Sequence, residues 1–150
     1  VPRFEKSGSA RIRDFMFNHV HGFESPEEAA EAVAAYLPHR TKPRSPDGLK
    51  NNLRHRDGRW CWHWDPAFLA TPQDDPFIRV EKLEQAAIDL TIPILLIRGK
   101  LSDVVSIDGV KDFLNKVPGA EFVELSDAGH TAAGDDNDAF SEVVVQFVSR

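Results

Sequence analysis

Two side chains with the chemistry of a nucleophilic triad follow two short predicted strands near the end of the chain. Asp103 comes after the apolar run at 94–97, which is too short for a helix and rich in branched side chains. His130 comes after residues 121–125, in which polar and apolar side chains alternate. An aspartate that orients a histidine supplies two of the three groups of such a triad. The histidine takes the nucleophile's proton, and the carboxylate fixes the histidine tautomer.

The residues between these two strands are predicted to form the helix of a strand–helix–strand unit. Residues 106–117 carry apolar side chains at helical spacing, and Pro118-Gly119 ends that helix. Such a unit almost always closes right-handed with its strands parallel, and groups that follow parallel strands gather at one edge of the sheet. The separation of 130 − 103 = 27 residues is what one helix and one strand occupy. We therefore expect Asp103 and His130 to lie at the same edge.

These segments resemble the α/β-hydrolase family. The resemblance lies in the motif RGKLSD, which ends at Asp103, and in the motif DAGH, which ends at His130. In that family the triad runs nucleophile, acid, histidine, so the resemblance implies that Asp103 is the acid and His130 the general base. It implies an α/β fold, with residues 1–90 as a mostly helical lid and residues 91–150 as the C-terminal βαβα portion of the parallel core. It also implies hydrolysis of an ester-like small molecule without a cofactor.

The chain departs from the family in one large respect, the nucleophile. It contains no Gly-x-Ser-x-Gly motif, and the early strands, the oxyanion loop and the nucleophile elbow of the family are missing. The nucleophile is either serine, which we favour because it is commoner, or aspartate, as in epoxide hydrolases and haloalkane dehalogenases. Since the first residue is Val1 rather than methionine, we expect the chain to start inside a longer parent.

The missing strands lead to an expectation about partners. Two parallel strands do not make a stable sheet alone. We expect the chain to be inactive by itself and to pair with the N-terminal half of the same hydrolase or with a second copy of the chain. The alternative is a non-catalytic, hydrolase-derived binding or assembly module.

Three tryptophans at alternate positions form the second candidate site. Trp60, Trp62 and Trp64 follow the tight-turn signal Asp57-Gly58, and in extended backbone they would share one face. They are predicted to bind the substrate as the wall of an apolar pocket, with packing in the core of the lid as the open alternative.

Other residues are weaker candidates for catalysis or metal binding. Asp127 is a rival acid, but it stands only three residues before His130, where a short loop would turn the two side chains apart. His19-x-His21 lacks a third ligand nearby, and Cys61 is the only cysteine. We therefore expect no metal. Residues 131–134 are small and are predicted to form a close-packed loop after the histidine.

Composition limits the setting and the partners. The net charge is −6, and residues 71–150 carry 7 basic against 15 acidic side chains, which argues against nucleic acid as the main partner. No apolar run approaches the roughly 18 residues of a membrane span, and no signal peptide is visible. A cytoplasmic protein without a membrane partner is expected.

Helix starts are predicted at Ser25-Pro26 and Ser45-Pro46, and further helices at 76–90 and 138–148.

Overall fold

The computed structural model of the protein describes residues 2–40, 45–67 and 76–150. The chain divides into two compact units, residues 1–9 with 73–150, and residues 10–72. The described elements are α1 (Lys6–Asn18), α2 (Pro26–Tyr36), α3 (Pro46–Leu49), a 3-10 turn (Lys50–Asn52), β1 (Leu53–Arg56), β2 (Arg59–Trp62), α4 (Pro76–Asp89), β3 (Ile94–Gly99), α5 (Ile107–Lys116), β4 (Ala120–Leu125), α6 (Ala132–Asp135) and α7 (Asn137–Val148).

The predicted strand–helix–strand unit is confirmed. β3 and β4 are parallel, with a register that runs from Ile94 opposite Ala120 to Gly99 opposite Leu125. Between them α5 begins after Ser106, whose hydroxyl oxygen accepts a hydrogen bond from the Gly109 N–H at 3.1 Å. Such an N-cap satisfies an amide that the helix leaves without a partner. The connecting helix buries its apolar face, with Val110 and Phe113 fully or almost fully covered.

A buried carboxylate ties α4 to α5. Glu84 is 7% exposed. It accepts a hydrogen bond from the Lys116 ammonium at 3.0 Å, and the Arg3 guanidinium lies 3.8 Å away. The pKa of Lys116 is raised, first by its hydrogen bond to Asp112 and then by the bond to Glu84. A charged side chain is tolerated at this position because opposite charges surround it.

The unit formed by residues 10–72 has its own core. It consists of Phe23, Ala29, Leu49 and Leu53, all at most 2% exposed. The predicted helix starts are confirmed, since the Ser25 hydroxyl oxygen accepts from the Glu28 N–H and the Ser45 hydroxyl oxygen from the Gly48 N–H, both at 3.1 Å. The two serines therefore set the helices that cover this core.

A two-residue turn joins β1 and β2 into an antiparallel hairpin. Asp57 and Gly58 both have positive φ angles, 49° and 79°. This is the backbone of the tight hairpin turn that the Asp-Gly pair predicted. β1 and β2 are therefore two strands within a region that was predicted to be mostly helical.

One local prediction is wrong. Residues 131–134 were predicted to form a loop, whereas Ala132–Asp135 form the single helical turn α6. The N–H groups of Gly134 and Asp135 both bond to the Thr131 carbonyl, at 2.7 and 3.0 Å. Small residues allow a helical turn as readily as a loop, and their composition alone does not separate the two.

Within the residues that the structure describes, none of the helices is both long enough and apolar enough to cross a bilayer.

Candidate functional site

Asp103 and His130 both lie past the carboxyl ends of the parallel strand pair. β3 ends at Gly99, four residues before Asp103, and β4 ends at Leu125, five residues before His130. Because Gly99 and Leu125 are partners in the register, the two following loops leave the sheet at the same level. Both candidate side chains are exposed. The topology thus brings a carboxylate and an imidazole to one edge, where functional groups of parallel sheets collect.

Backbone hydrogen bonds continue the strand pairing into these two loops. The Lys100 N–H donates to the Leu125 carbonyl at 2.8 Å, and the Leu101 N–H donates to the Ala128 carbonyl at 3.0 Å. The second bond joins the loop that carries Asp103 (residues 100–106, the acid loop) directly to the loop that carries His130 (residues 126–131, the histidine loop). The two loops therefore have a fixed separation at their bases.

A glycine at the end of β3 is required for this close approach. A Cβ atom on Gly99 would lie 2.1 Å from the Gly129 carbonyl oxygen and 2.3 Å from the Ala128 carbonyl oxygen. Both clashing atoms belong to the backbone of the histidine loop and cannot move aside like a flexible side chain. Any other residue at 99 would push the histidine loop away from the strand.

The backbone around Asp103 is held on several sides. The Ser102 hydroxyl oxygen accepts hydrogen bonds from the N–H groups of Val104 and Val105, at 3.3 and 3.2 Å. The Val104 carbonyl accepts from the Glu5 N–H at 2.8 Å, and a Cβ on Gly8 would lie 2.2 Å from the Asp103 carbonyl oxygen. The N-terminal residues thus pack directly onto the acid loop and leave the carboxylate exposed.

A second aspartate organises the histidine loop. One oxygen of the Asp135 carboxylate accepts a hydrogen bond from the Gly129 N–H at 2.7 Å, and the other accepts from the Thr131 hydroxyl at 3.0 Å. These two groups flank His130 on either side. Asp135 is not among the residues predicted from the sequence. The available signal was its i, i+4 spacing from Thr131, which needs the helical turn α6 to have meaning.

Asp103 and His130 follow the two strands at the same edge of the sheet, and the rival acid Asp127 lies three residues before His130. The rival acid Asp127 is exposed and accepts a hydrogen bond from the Ser126 hydroxyl at 2.9 Å. A small cavity of about 100 Å³ adjoins His130 and is lined mainly by β3 and the acid loop, including Leu96, Ser102 and Val105.

A larger cavity lies at the opposite end of the strand pair. Its volume is about 610 Å³, and it is lined by residues 87, 88, 90–94 and 116–119, which precede or begin the two strands. It is therefore remote from Asp103 and His130.

The three tryptophans differ in their surroundings. Trp60 and Trp62 belong to β2 and pack against the core of residues 10–72, where the Trp62 ring meets the Phe23 ring edge-on with centroids 5.4 Å apart. Trp64 follows the strand in a bend and is half-buried. The Trp62 Nε1 atom is buried and has no hydrogen-bond partner in the described part of the chain. Only the first two tryptophans therefore share a strand.

His19, the first histidine of the pair that follows α1, packs against neighbouring residues of the same unit. The His19 Nδ1 atom lies 2.7 Å from the Phe15 carbonyl oxygen, and the His19 ring stacks on Phe23 with centroids 5.0 Å apart. Across residues 2–40, 45–67 and 76–150, no cluster of three or more His, Cys, Asp or Glu side chains has the arrangement of a metal site.

Comparison with known proteins identifies the fold. No model of a known protein family matches the chain, and neither does any curated protein. Among solved structures, E-2-(acetamidomethylene)succinate hydrolase has a TM-score of 0.79 at 18% identity and covers 100% of this chain. An esterase from M. tuberculosis has a TM-score of 0.64 at 22% identity and 99% coverage. An α/β-hydrolase from Novosphingobium aromaticivorans has a TM-score of 0.62 at 24% identity and 95% coverage.

The chain spans about half the length of these structures. It covers 55% of the first, 53% of the second and 52% of the third. The fold is therefore that of the C-terminal portion of an α/β-hydrolase, with the parallel strand pair as part of the hydrolase sheet. At these identities the likeness concerns the fold alone.

The contact at Gly99 predicts a large effect of a small substitution. Gly99→Ala should lower the free energy of unfolding by about 3 kcal/mol, because the added methyl group overlaps two backbone carbonyl oxygens. Gly119→Ala is the matched control, since a Cβ there meets nothing within 4 Å. It should leave stability unchanged or raise it by less than about 1 kcal/mol. Denaturant unfolding of both variants measures the difference. Equal stabilities would contradict the close approach.

Proposed function

We propose that this chain supplies the acid and the general base of an α/β-hydrolase triad, with Asp103 as the acid and His130 as the base. The observation that carries the proposal is the hydrogen bond from the Leu101 N–H to the Ala128 carbonyl at 3.0 Å. It joins the loops of the two candidate residues at the carboxyl edge of a parallel strand pair, where such sites form. The hydrolases and esterases with the same fold support a hydrolytic role.

The proposed chemistry divides the work between this chain and the nucleophile-bearing N-terminal half of the fold. With a serine nucleophile, His130 takes the hydroxyl proton as the serine oxygen attacks the carbonyl carbon of an ester-like substrate. His130 then returns that proton to the leaving group, while Asp103 holds the imidazole in the required tautomer. With an aspartate nucleophile, His130 instead activates the water that hydrolyses the covalent intermediate. Serine remains the favoured assignment.

The acid assignment predicts different results for two aspartates. In the enzyme completed by its nucleophile-bearing half, Asp103→Asn should lower kcat by about ten-thousand-fold, because the neutral amide favours the wrong histidine tautomer. Asp127→Asn is the control and should leave kcat nearly unchanged, since Asp127 is exposed and bonded to Ser126. Steady-state kinetics measure both. Full activity in Asp103→Asn would contradict the acid assignment, whereas absence of turnover in the completed wild-type enzyme would favour the alternative, a non-catalytic binding or assembly module.

We propose that the tryptophan run contributes to substrate binding chiefly through Trp64. Trp60 and Trp62 pack against the core of residues 10–72, so their replacement removes buried contacts. Trp64 lies beyond the strand. An indole outside the strand can contact a substrate without being required for folding.

Two alanine variants separate packing from binding. Trp62→Ala should lower the free energy of unfolding by about 3 kcal/mol, as expected when a large packed side chain leaves a cavity. Trp64→Ala should change that free energy by less than about 1 kcal/mol and should raise KM for the substrate. Thermal unfolding and kinetics in the completed enzyme give both quantities. A large loss of stability in Trp64→Ala with unchanged KM would contradict the binding role.

We further propose that the chain functions with a partner, either the N-terminal half of the hydrolase or a second copy. Among the described strands, β3 pairs only with β4, which leaves its other edge available for another strand. Ile88, Leu90 and Ile92, which lead into β3, are 47%, 50% and 64% exposed. An open strand edge beside exposed apolar side chains favours association.

Light scattering on the purified chain tests this proposal. A dimer or a larger species is expected for the chain alone, and a one-to-one complex after addition of the N-terminal half. Ile92→Lys supplies a control, since it should weaken association by placing a charge in the proposed interface. A folded monomer at all concentrations would contradict the proposal.

A further inference from the structure

Arg98, the charged residue of β3, contacts the acid loop. Arg98 lies opposite Glu124 in the parallel register, and the guanidinium of Arg98 donates a hydrogen bond to the Glu124 carboxylate. The two side chains are 9% and 30% exposed. A covered guanidinium whose charge is matched by a neighbouring carboxylate has a fixed position, and the remaining N–H groups of its planar fork are available for other acceptors.

Those remaining groups bond to the acid loop on both sides of Asp103. The Arg98 Nε donates to the Val105 carbonyl oxygen at 2.7 Å, and the second terminal nitrogen lies 3.4 Å from the Ser102 carbonyl oxygen. Ser102 is the residue before Asp103, and Val105 is two residues after it. One rigid group therefore spans the short segment that carries the proposed acid.

We propose that Arg98 is a positioning residue for Asp103. It holds the Ser102–Val105 segment against β3, so that the Asp103 carboxylate stays at the level of the histidine loop. This inference rests on the proposed function of Asp103, but the hydrogen bonds on which it depends can be tested without any activity. Glu124 has a supporting part, because it fixes the guanidinium from the neighbouring strand.

The geometry distinguishes Arg98 from the other arginine that pairs with β4. The Arg150 guanidinium also bonds to a glutamate of β4, Glu121, but these side chains are 60% and 46% exposed. Replacement of either arginine by lysine keeps the positive charge beside its glutamate. At position 98 the replacement also removes the planar guanidinium that contacts two backbone carbonyl oxygens. The lysine ammonium is a compact donor and cannot reproduce that geometry. Arg150→Lys is therefore the matched control for Arg98→Lys.

Hydrogen exchange tests the contact itself. It is measured by mass spectrometry on the full chain, in the assembly in which the chain purifies. In Arg98→Lys, the amides of residues 101–105 should exchange at least about tenfold faster than in the wild-type protein, because bonds from a charged donor are lost. Residues 120–125 of β4 should keep their exchange rates, and Arg150→Lys should leave both segments unchanged. Equal exchange at 101–105 in Arg98→Lys and Arg150→Lys would overturn the inference.

Kinetics in the completed enzyme test the positioning role. Arg98→Lys should lower kcat at least about tenfold, with KM within about twofold of the wild-type value, because the guanidinium acts on Asp103 and not on the substrate. Arg98→Met, which also loses the pair with Glu124, should lower kcat further. A raised KM with unchanged kcat would assign Arg98 to substrate binding and overturn the inference.

One further variant separates this inference from the proposed function. If Asp103→Asn abolishes turnover while Arg98→Lys and Arg98→Met match Arg150→Lys in kcat, only the role of Arg98 is wrong. If Asp103→Asn is fully active, the acid assignment itself is wrong, and a positioning role for Arg98 falls with it. The hydrogen-exchange result then still reports whether Arg98 holds the loop.

Discussion

The structure of the candidate site depends on the close approach between the end of β3 and the backbone that leads into His130. Gly99 makes this approach possible, because a side chain there would overlap the carbonyl oxygens of Ala128 and Gly129. The Leu101 N–H then reaches the Ala128 carbonyl, so the acid loop and the histidine loop share a hydrogen bond. The other contacts of the site act on loops whose first residues are already fixed by this close approach.

Each loop has a charged side chain that holds its backbone. On the acid loop this is Arg98, which bonds to carbonyls on both sides of Asp103. On the histidine loop it is Asp135, which accepts hydrogen bonds from both sides of His130. Arg98 acts through backbone carbonyls, and Asp135 acts through a backbone N–H and the Thr131 hydroxyl. Asp103 and His130 themselves are exposed. Such support by neighbouring residues is common where reactive groups must keep their orientation.

The sequence predicted the frame of the site better than its supporting contacts. The apolar run at 94–97 and the helical spacing at 106–117 were sufficient for the parallel strand pair, because hydrophobic period and connection handedness restrict the topology. The contacts of Arg98 and Asp135 were not predictable, since they depend on which carbonyls and N–H groups the folded loops present. The helical turn α6 was not predicted, because a run of small residues has no hydrophobic periodicity. Several expectations stay predictions: the roles of Asp103, His130 and the tryptophans, the boundary at residue 90 and the cytoplasmic setting.

We propose that this chain carries the acid and base of a hydrolase but not its nucleophile. The direct test is turnover of a nitrophenyl ester by the chain alone and by the chain joined to a nucleophile-bearing N-terminal half, each with His130 and with His130→Ala. We expect no turnover by the chain alone, and turnover by the joined form that His130→Ala abolishes. Turnover by the chain alone that depends on His130 would contradict this proposal, as would turnover by the joined form that His130→Ala leaves unchanged.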